Sequence, residues 1–300
     1  MIRTIILVTL MVPVLSNTLW ARGAGTSGAV ILDQPVAARA CGMAEAYTAV
    51  EGEIDVLHYN PAGLITLPNR QASFSYQRGL ANDTFWRQLY GQPTPVVVFA
   101  GALSYYTVGD IELIDLDGNE WTANAEQDFI VLAGFASEFL EKCPMGINLK
   151  VISSRVVEAE SATAFAVDFG VLYHPPLEGL ATGLAVQNLG TKLKFIEEGD
   201  PLPSTIRLGS AYHRSFGNQQ ILLSIDFPYL VYEQQINPAV GFEYDWRKMI
   251  QVRIGYKFNV DDTGLAFGLG FTYQRYVIDY AFGLANKLKN LHRLSLGVKF

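Results

Sequence analysis

The sequence predicts an all-β fold and, within that class, a transmembrane antiparallel β-barrel of about fourteen strands with a small, partly helical N-terminal hatch. The first observation is compositional: 12% of the residues are aromatic and 27 of the 300 are glycine, which favours strands over helices. The second is that large apolar residues alternate with small or polar ones along most of the chain. The third is that long and short connections mostly alternate between these segments, as in outer-membrane barrels.

The overall composition and charge exclude several other classes of protein. Hydrophobic residues at 50% and charged residues at 17% exclude a disordered chain. The net charge is -7 and Lys and Arg form no cluster, so a nucleic-acid partner is excluded. Beyond the N-terminus there is no apolar run of about eighteen residues, which excludes a helical inner-membrane protein.

Residues 1–21 are predicted to be a signal peptide for Sec-type export. Arg3 supplies a positive charge, Thr4 to Leu15 is mostly apolar, and Ala21 ends a tolerable cleavage site. The apolar stretch is too short for a membrane-spanning helix, which needs roughly twenty residues. Together with the predicted barrel, this export signal predicts that the mature protein resides in the outer membrane of a Gram-negative-type bacterium.

Residues 22–70 are predicted to form the hatch ahead of the barrel. Val36 to Val50 is rich in alanine and has a helical composition. Asn60, Pro61, Ala62 and Gly63 have the pattern of a helix start, with Asn as the N-cap and Pro at the first helical position. A barrel of fourteen strands is wide enough to enclose such an element, since about eight strands already enclose a side-chain-filled interior.

Residues 71–300 are predicted to form the barrel. The fourteen predicted strands are 71–78, 84–91, 94–106, 124–138, 144–157, 161–174, 179–188, 203–214, 219–227, 236–245, 249–258, 264–273, 275–284 and 291–300. Connections after odd-numbered strands, such as Thr107–Ala123 and Leu189–Pro203, are long and therefore predicted to be external. The very short external connection at Glu158–Glu160 is an exception to this alternation.

The large apolar face of each strand is predicted to point towards lipid. In a soluble sandwich the opposite face would carry long charged residues, whereas here it is rich in Gly, Ala, Ser and Thr. The C-terminal strand shows the pattern, with Leu294, Leu296, Val298 and Phe300 on one face. We predict that this strand is presented to the barrel assembly machinery, and that the other face of each strand lines the lumen.

Charged residues of both signs are predicted to face the lumen. They are Lys150, Asp168, Arg207, Asp226, Glu243, Arg253, Lys257, Arg275, Asp279 and Arg293. Because buried charges need partners, we expect them to pair with one another and to anchor the hatch rather than to form a selectivity ring.

The sequence contains no recognisable catalytic or metal site. The four histidines are scattered, and none forms a His-Glu-x-x-His motif or pairs with a cysteine at metal spacing, so no enzyme, metal or cofactor is predicted.

Two questions stay open at this point. Cys41 and Cys143 could form a disulfide, and the segment Asp115 to Glu120 could hold calcium, although a solvated turn is the better interpretation.

Three N-terminal segments carry a resemblance to a known family. They are residues 25–29, residues 37–49 and the Tyr59-Asn60-Pro61-Ala62-Gly63-Leu64 motif, and the closing residues 292–300 agree with them. The mature chain resembles the PorV/PorQ family, which is similar in architecture to the FadL-like long-chain fatty acid transporters. The resemblance implies a fourteen-stranded outer-membrane barrel with a hatch containing Asn60, Pro61 and Ala62. Cys41 departs from the family pattern, where a small or aliphatic residue is expected.

Two functions follow as hypotheses from the predicted hatch, barrel and resemblance. The first is a plugged channel that admits hydrophobic small molecules without any chemical step. The second is a type IX secretion accessory barrel that receives exported proteins at its outer face, through Thr107–Ala123 and Leu189–Pro203. The first of these loops contains Ile111, Leu113, Ile114, Leu116 and Trp121, which weakly favours a partner or ligand there.

Overall fold

The protein is a closed β-barrel around an N-terminal hatch, as a computed structural model shows. The structure describes residues 27–35, 37–79, 83–114, 120–157, 161–261, 263–285 and 290–300. The wall strands are β1 (Gln71–Arg78), β2 (Thr84–Pro93), β3 (Val98–Ile114), β4 (Glu120–Leu140), β5 (Cys143–Val156), β6 (Ala162–Tyr173), β7 (Leu180–Gly190), β10 (Thr205–Phe216), β11 (Gln219–Leu230), β13 (Ala239–Trp246), β14 (Ile250–Lys257), β15 (Thr263–Tyr273), β16 (Tyr276–Ala285) and β17 (Leu291–Lys299). The two-residue strands β8 (Leu193–Lys194), β9 (Gly199–Asp200) and β12 (Gln235–Ile236) lie in connections.

Every wall strand pairs antiparallel with its neighbours along the chain, and β17 returns to pair with β1. In this closing pair Phe74 lies opposite Leu296, and the Phe300 backbone nitrogen donates to the Arg70 carbonyl oxygen at 2.9 Å. Closure leaves no unpaired strand edge around the wall, as a barrel in lipid requires. The predicted fold class, an antiparallel barrel of fourteen strands with a partly helical hatch, is confirmed.

The hairpin of β3 and β4 is longer than the sequence predicts. Within Thr107–Ala123, expected to be a loop, residues 107–114 continue β3 and residues 120–123 belong to β4. Ile111 pairs with Ala123, which lies beyond the external end of β2 at Thr84. The alternating pattern of this segment is weak, and pairing between its two halves decides its conformation. Since β5 joins β4 only from Glu126, the described ends of β3 and β4 extend beyond both neighbouring strands.

The two faces of the wall differ as predicted. On β15 the outward Phe267 is 40% exposed, whereas the adjacent Gly268 is buried against the hatch. Leu294, Leu296 and Phe300 are exposed and Val298 is partly buried, all on the outer side of the wall or at its end. Among the described residues no helix has the length and hydrophobicity needed to cross a membrane.

The hatch consists of short helical pieces joined by turns. They are a 3-10 helix at Val30–Asp33, α1 (Ala38–Gly42), α2 (Val56–Tyr59) and a 3-10 helix at Pro61–Thr66. The helix expected across Val36 to Val50 is therefore only five residues long. It ends early because Ala44 and Glu45 adopt positive φ angles of 52° and 64°, which a right-handed helix excludes.

Several sequence predictions fall on other local features. Cys41 and Cys143 are free thiols, so they do not form the disulfide that the sequence left open. The signal peptide at 1–21 and the connection at Glu158–Glu160 lie outside the described residues. So does the calcium candidate Asp115 to Glu120, apart from Glu120, which begins β4.

Candidate functional site

A belt of lumen-facing glycines forms the seat of the hatch. We call it the glycine belt; it comprises Gly134, Gly146, Gly170, Gly183, Gly209, Gly241, Gly255 and Gly268, which lie on eight different wall strands. A Cβ atom added at Gly146 would lie 2.5 Å from the Ala62 nitrogen, and one added at Gly255 would lie 2.5 Å from the Ala44 nitrogen. The missing side chains therefore allow the hatch backbone to lie directly against the wall.

Asn60 joins two parts of the hatch to the wall. Its side-chain oxygen accepts from the Ala62 nitrogen at 3.1 Å, which caps the 3-10 helix that begins at Pro61. Its side-chain nitrogen donates to the carbonyl oxygens of Thr48 at 2.9 Å and Val171 at 3.1 Å. The side chain is fully buried, so each of these bonds satisfies a group that water does not reach.

Asp226 and Arg207 hold the turn that contains Thr48. The fully buried Asp226 carboxylate accepts from the backbone nitrogens of Tyr47 at 3.2 Å and Thr48 at 3.0 Å, and from the Thr48 hydroxyl. Arg207 donates to Asp226 at 3.2 Å and to the Glu45 carbonyl oxygen at 2.9 Å. One wall ion pair thus binds both the backbone and a side chain of the hatch.

A second ion network connects α1 of the hatch to the wall strands β13, β14 and β16. Arg39 pairs with Glu243 at 2.7 Å and with Glu53 at 3.1 Å. Glu243 also accepts from Arg253 at 2.5 Å, and Arg253 donates to Asp279 at 2.6 Å. Because this chain of alternating charges is largely buried, each carboxylate and guanidinium compensates the desolvation of its neighbour.

The other predicted lumen charges form smaller contacts. Lys150 pairs with the fully buried Asp168 at 2.8 Å. Lys257 pairs with Glu45 of the hatch at 2.8 Å. Arg293 donates to the Gln77 side chain at 2.6 Å.

Arg275 departs from its predicted place in the lumen. It lies in the turn between β15 and β16, is exposed, and donates to the Tyr276 hydroxyl at 3.2 Å while its guanidinium stacks over that ring. The prediction that it faces the lumen is wrong because β16 begins one residue later than expected. The alternation that places Asp279 inward does not extend back into the turn.

Sequence reasoning missed the hatch side of these contacts. Arg39, Glu45 and Glu53 supply charges to the networks, and Asn148 donates to the Leu57 carbonyl oxygen at 2.8 Å. The charged hatch residues are visible in the sequence, but the wall partners of Arg39 and Glu45 lie 204 and 212 positions away. Only the charge composition of the hatch, with basic and acidic residues in a segment predicted to be enclosed, could have suggested them.

Asp55 of the hatch is a buried carboxylate with an unsatisfied oxygen. Its Oδ1 atom has no hydrogen-bond partner, although His58 and Arg87 are bonded to each other nearby at 3.1 Å. Burial, reinforced by Glu53 and opposed by Arg87, raises the pKa of Asp55 to about 8. Asp55 lines a cavity of about 950 Å³ between the hatch and the short-turn end of the barrel, which also contacts Asp245 and Gln251.

The external half of the lumen contains an apolar cluster beside the buried polar side chains of Asp128 and Ser154. Residues 28–33 pack there against the wall and against the connection between β7 and β10, and Gly28 donates to the Pro201 carbonyl oxygen at 2.9 Å. We call this region the external apolar compartment; it comprises Ala29, Ile31, Leu32, Phe85, Ile130, Ile152, Ala162, Ala164, Ala166, Leu193 and Leu202, with Tyr106 and Phe195 at its edge. A water-filled channel would instead be lined by polar side chains.

The arrangement supplies binding surfaces rather than a reactive centre. Within the described ranges, no three His, Cys, Asp or Glu side chains are grouped so that they could hold a metal ion. The polar groups of the hatch level are mostly paired with one another, and the external compartment offers apolar contact. The site is therefore suited to sealing the barrel and to contacting apolar molecules.

Solved structures with a similar fold include channels that are named for hydrocarbons. The chain is similar to the TodX deltaS2S3 mutant monoaromatic hydrocarbon channel, with a TM-score of 0.63 and 11% identity over 88% of this chain and 99% of that one. It is similar to a Pseudomonas aeruginosa FadL homologue, with a TM-score of 0.58 and 10% identity over 89% and 99%. It is also similar to the Ralstonia pickettii toluene transporter TbuX, with a TM-score of 0.56 and 10% identity over 86% of this chain and 98% of that one. At these identities the similarity shows the fold alone.

Comparison with protein families is more specific. No curated protein matches the chain. The family model described as type IX secretion system protein PorV matches residues 21–236, which include the hatch and the wall strands up to β11. This match covers most of the chain and agrees with the seated Asn-Pro-Ala motif and the fourteen-stranded wall. The protein is an outer-membrane β-barrel in contact with lipid, and it belongs to the PorV family.

Proposed function

We propose that this protein is a plugged outer-membrane channel for hydrophobic small molecules. The observation that carries the proposal is the external apolar compartment, where wall, hatch and an infolded connection together present apolar side chains inside the barrel. Apolar solutes gain free energy by leaving water for such a surface, whereas ions and sugars do not. The protein performs no chemical step in this role, and no cofactor takes part.

The similarity to channels named for monoaromatic hydrocarbons supports this proposal at the level of fold. A solute such as toluene would enter beside the connection of residues 191–204 and contact Leu193 and Leu202. The hatch below would prevent free flow of water and ions. Its close seating on the glycine belt is consistent with that sealing role.

Uptake of labelled toluene by a Gram-negative host that lacks its own hydrophobic-solute channel tests the proposal. Leu193 and Leu202 are suitable positions because both are buried and lie outside the fourteen wall strands. We expect Leu202→Gln to slow uptake severely, and Leu202→Met, which keeps size and apolarity, to retain most of it. Equal uptake by the two variants, at equal amounts of folded barrel, would contradict passage through the compartment.

A second candidate function is the accessory role in type IX secretion, and the projecting hairpin favours it. Ile114 is 66% exposed and Trp121 is 40% exposed on a tip that extends beyond the neighbouring strands. Such side chains, together with Ile196 in the connection between β7 and β10, could contact an exported protein at the outer face. Ile114→Ser combined with Trp121→Ser should then reduce secretion of exported proteins and leave toluene uptake unchanged.

We also propose how the protein reaches the membrane. Sec-type export would remove residues 1–21. The measured intact mass should therefore match a mature chain that begins at Arg22. The barrel assembly machinery would then receive the C-terminal strand with Leu294, Leu296, Val298 and Phe300 on its lipid face. Deleting Phe300 should lower the yield of folded barrel, while truncating the exposed Tyr232 side chain in an external connection should not.

A further inference from the structure

We propose that the outer face of the barrel carries a binding site for a phosphate-bearing membrane lipid, in a groove where the first and last strands meet. The groove has a volume of about 860 Å³ and lies at the external ends of β1, β16 and β17. Its lining includes Tyr76, Arg78, Tyr280, Leu284, His292 and Leu294. The inference is independent of the proposed transport function, because the groove is on the lipid side of the wall.

Two side chains able to carry positive charge lie next to each other in this groove. Arg78 is directly opposite His292 in the antiparallel pair of β1 and β17. Both are exposed on the outer face, because alternation places Gln77 and Arg293 inward, where they are bonded to each other. Side chains directly opposite across a strand pair are close enough to bind one group together.

A hydrogen bond orients the His292 ring. The Tyr280 hydroxyl and His292 Nδ1 are 2.6 Å apart, and the Phe282 ring contacts the imidazole edge-on with centroids 5.3 Å apart. This bond engages Nδ1, so Nε2 is the ring nitrogen that can contact a further group.

The position of the groove identifies the kind of acceptor. Below Arg78 and His292 the groove wall is formed by Leu294, Tyr76 and Tyr280, which lie side by side on three neighbouring strands. Trp86 is opposite Tyr76 on β2, so an aromatic row marks the membrane interface at this level. An acyl chain fits the lower, apolar part, and a phosphate at head-group level reaches the guanidinium and imidazole donors.

Asp83 moderates the charge of the site. Its backbone oxygen accepts from the Gly79 nitrogen at 2.8 Å, which brings the residue to the rim of the groove beside Arg78. Its carboxylate lies where a Cβ of Gly79 would be and opposes the binding of an anion. Replacing Asp83 should therefore strengthen lipid binding, the opposite of the effect of replacing Arg78 or His292.

Native mass spectrometry of the detergent-solubilised full chain tests the proposal with two probe lipids. Phosphatidylglycerol and diacylglycerol with the same acyl chains differ only in the anionic phosphoglycerol head group. We expect the wild type to bind phosphatidylglycerol more tightly. Arg78→Leu and His292→Leu should each weaken that binding by about tenfold, the size expected for losing one charge-assisted hydrogen bond, and leave diacylglycerol binding unchanged.

Arg155→Leu is the matched control, because Arg155 is an exposed cation at the external end of β5 and does not line the groove. It should leave the preference for phosphatidylglycerol unchanged, and Asp83→Asn should increase it. The proposal is overturned if wild type binds both lipids equally. It is also overturned if the Arg78→Leu/His292→Leu double variant, with a normal yield of folded barrel, keeps the wild-type preference.

Discussion

The hatch level and the external level of the same lumen are built on different principles. At the hatch level, backbone meets backbone across the glycine belt, and buried ion pairs such as Arg207 with Asp226 fix the contacts. At the external level, apolar side chains from three parts of the chain pack together, and the fully buried Ile152 is typical of them. Directional hydrogen bonds and ion pairs stabilise the hatch level, whereas burial of apolar surface stabilises the external level.

For the proposed channel, this difference gives a physical reason why one barrel could be sealed at one level and bind apolar molecules at the other. Directional hydrogen bonds and close backbone contact define a single position for the hatch. Apolar packing tolerates exchange of one apolar group for another of similar volume. The hatch level is thus suited to closure, and the external level is suited to binding a solute.

The largest expected effect is at the ion network of the hatch level. Glu243→Ala removes the carboxylate shared by Arg39 and Arg253 and should destabilise the barrel by about 3 kcal/mol, because two buried guanidiniums each lose a partner. Urea unfolding of the protein in lipid vesicles measures this change. Glu141→Ala, in an exposed turn, should have almost no effect, and equal destabilisation by the two variants would refute an energetic role for the network.

A single methyl group tests the glycine belt. Gly146→Ala should cost about 2 kcal/mol or more, because the new Cβ would overlap the hatch backbone at Pro61 and Ala62. Displacement of the hatch should lower the temperature midpoint of the heat-modifiability transition and increase the sensitivity of the hatch to protease. Gly297→Ala is the control, since the nearest atom to its Cβ would be at 3.4 Å. If both variants behave like wild type, the hatch is not seated by close contact.

The pH dependence of stability tests the buried carboxyl of the hatch. The pKa of Asp55 is raised to about 8 from 3.8, so the folded protein keeps a proton that the unfolded chain has lost. The resulting stability is complete below pH 3.8 and is lost as the pH rises to about 8, with a slope of at most about 1.4 kcal/mol per pH unit. Asp55→Asn should remove this slope in a pH series of urea unfolding.

Asp261→Asn, in an exposed connection, is the control for that series and should keep the wild-type slope. A slope that persists in Asp55→Asn would assign the proton to another group.

The smallest effect is expected in the external apolar compartment. Ile152→Leu keeps the volume and apolarity of a fully buried side chain and should cost about 1 kcal/mol or less. The same unfolding assay measures it. A cost larger than that of Gly146→Ala would reverse the comparison, since it would show that the external level depends on shape more strictly than the hatch level does.

Part of the candidate site was predictable from the sequence alone. The Asn60-Pro61 helix start and the inward position of charges such as Asp168 and Arg253 follow from capping and from alternation, which are local rules. The turn position of Arg275 and the long hairpin of β3 and β4 did not follow. Each depends on where strand pairing begins or ends, and pairing is a property of two segments.

The sequence by itself determined the barrel, because each wall strand carries its own two-faced pattern and lipid selects the apolar face. Only the tertiary structure decided which hatch residue meets which wall strand. Arg39 and Glu243 are separated by 204 positions, and the glycines that admit the hatch lie on eight different strands. Such contacts exist only once the wall has closed, since closure is what brings distant strands around one enclosed segment.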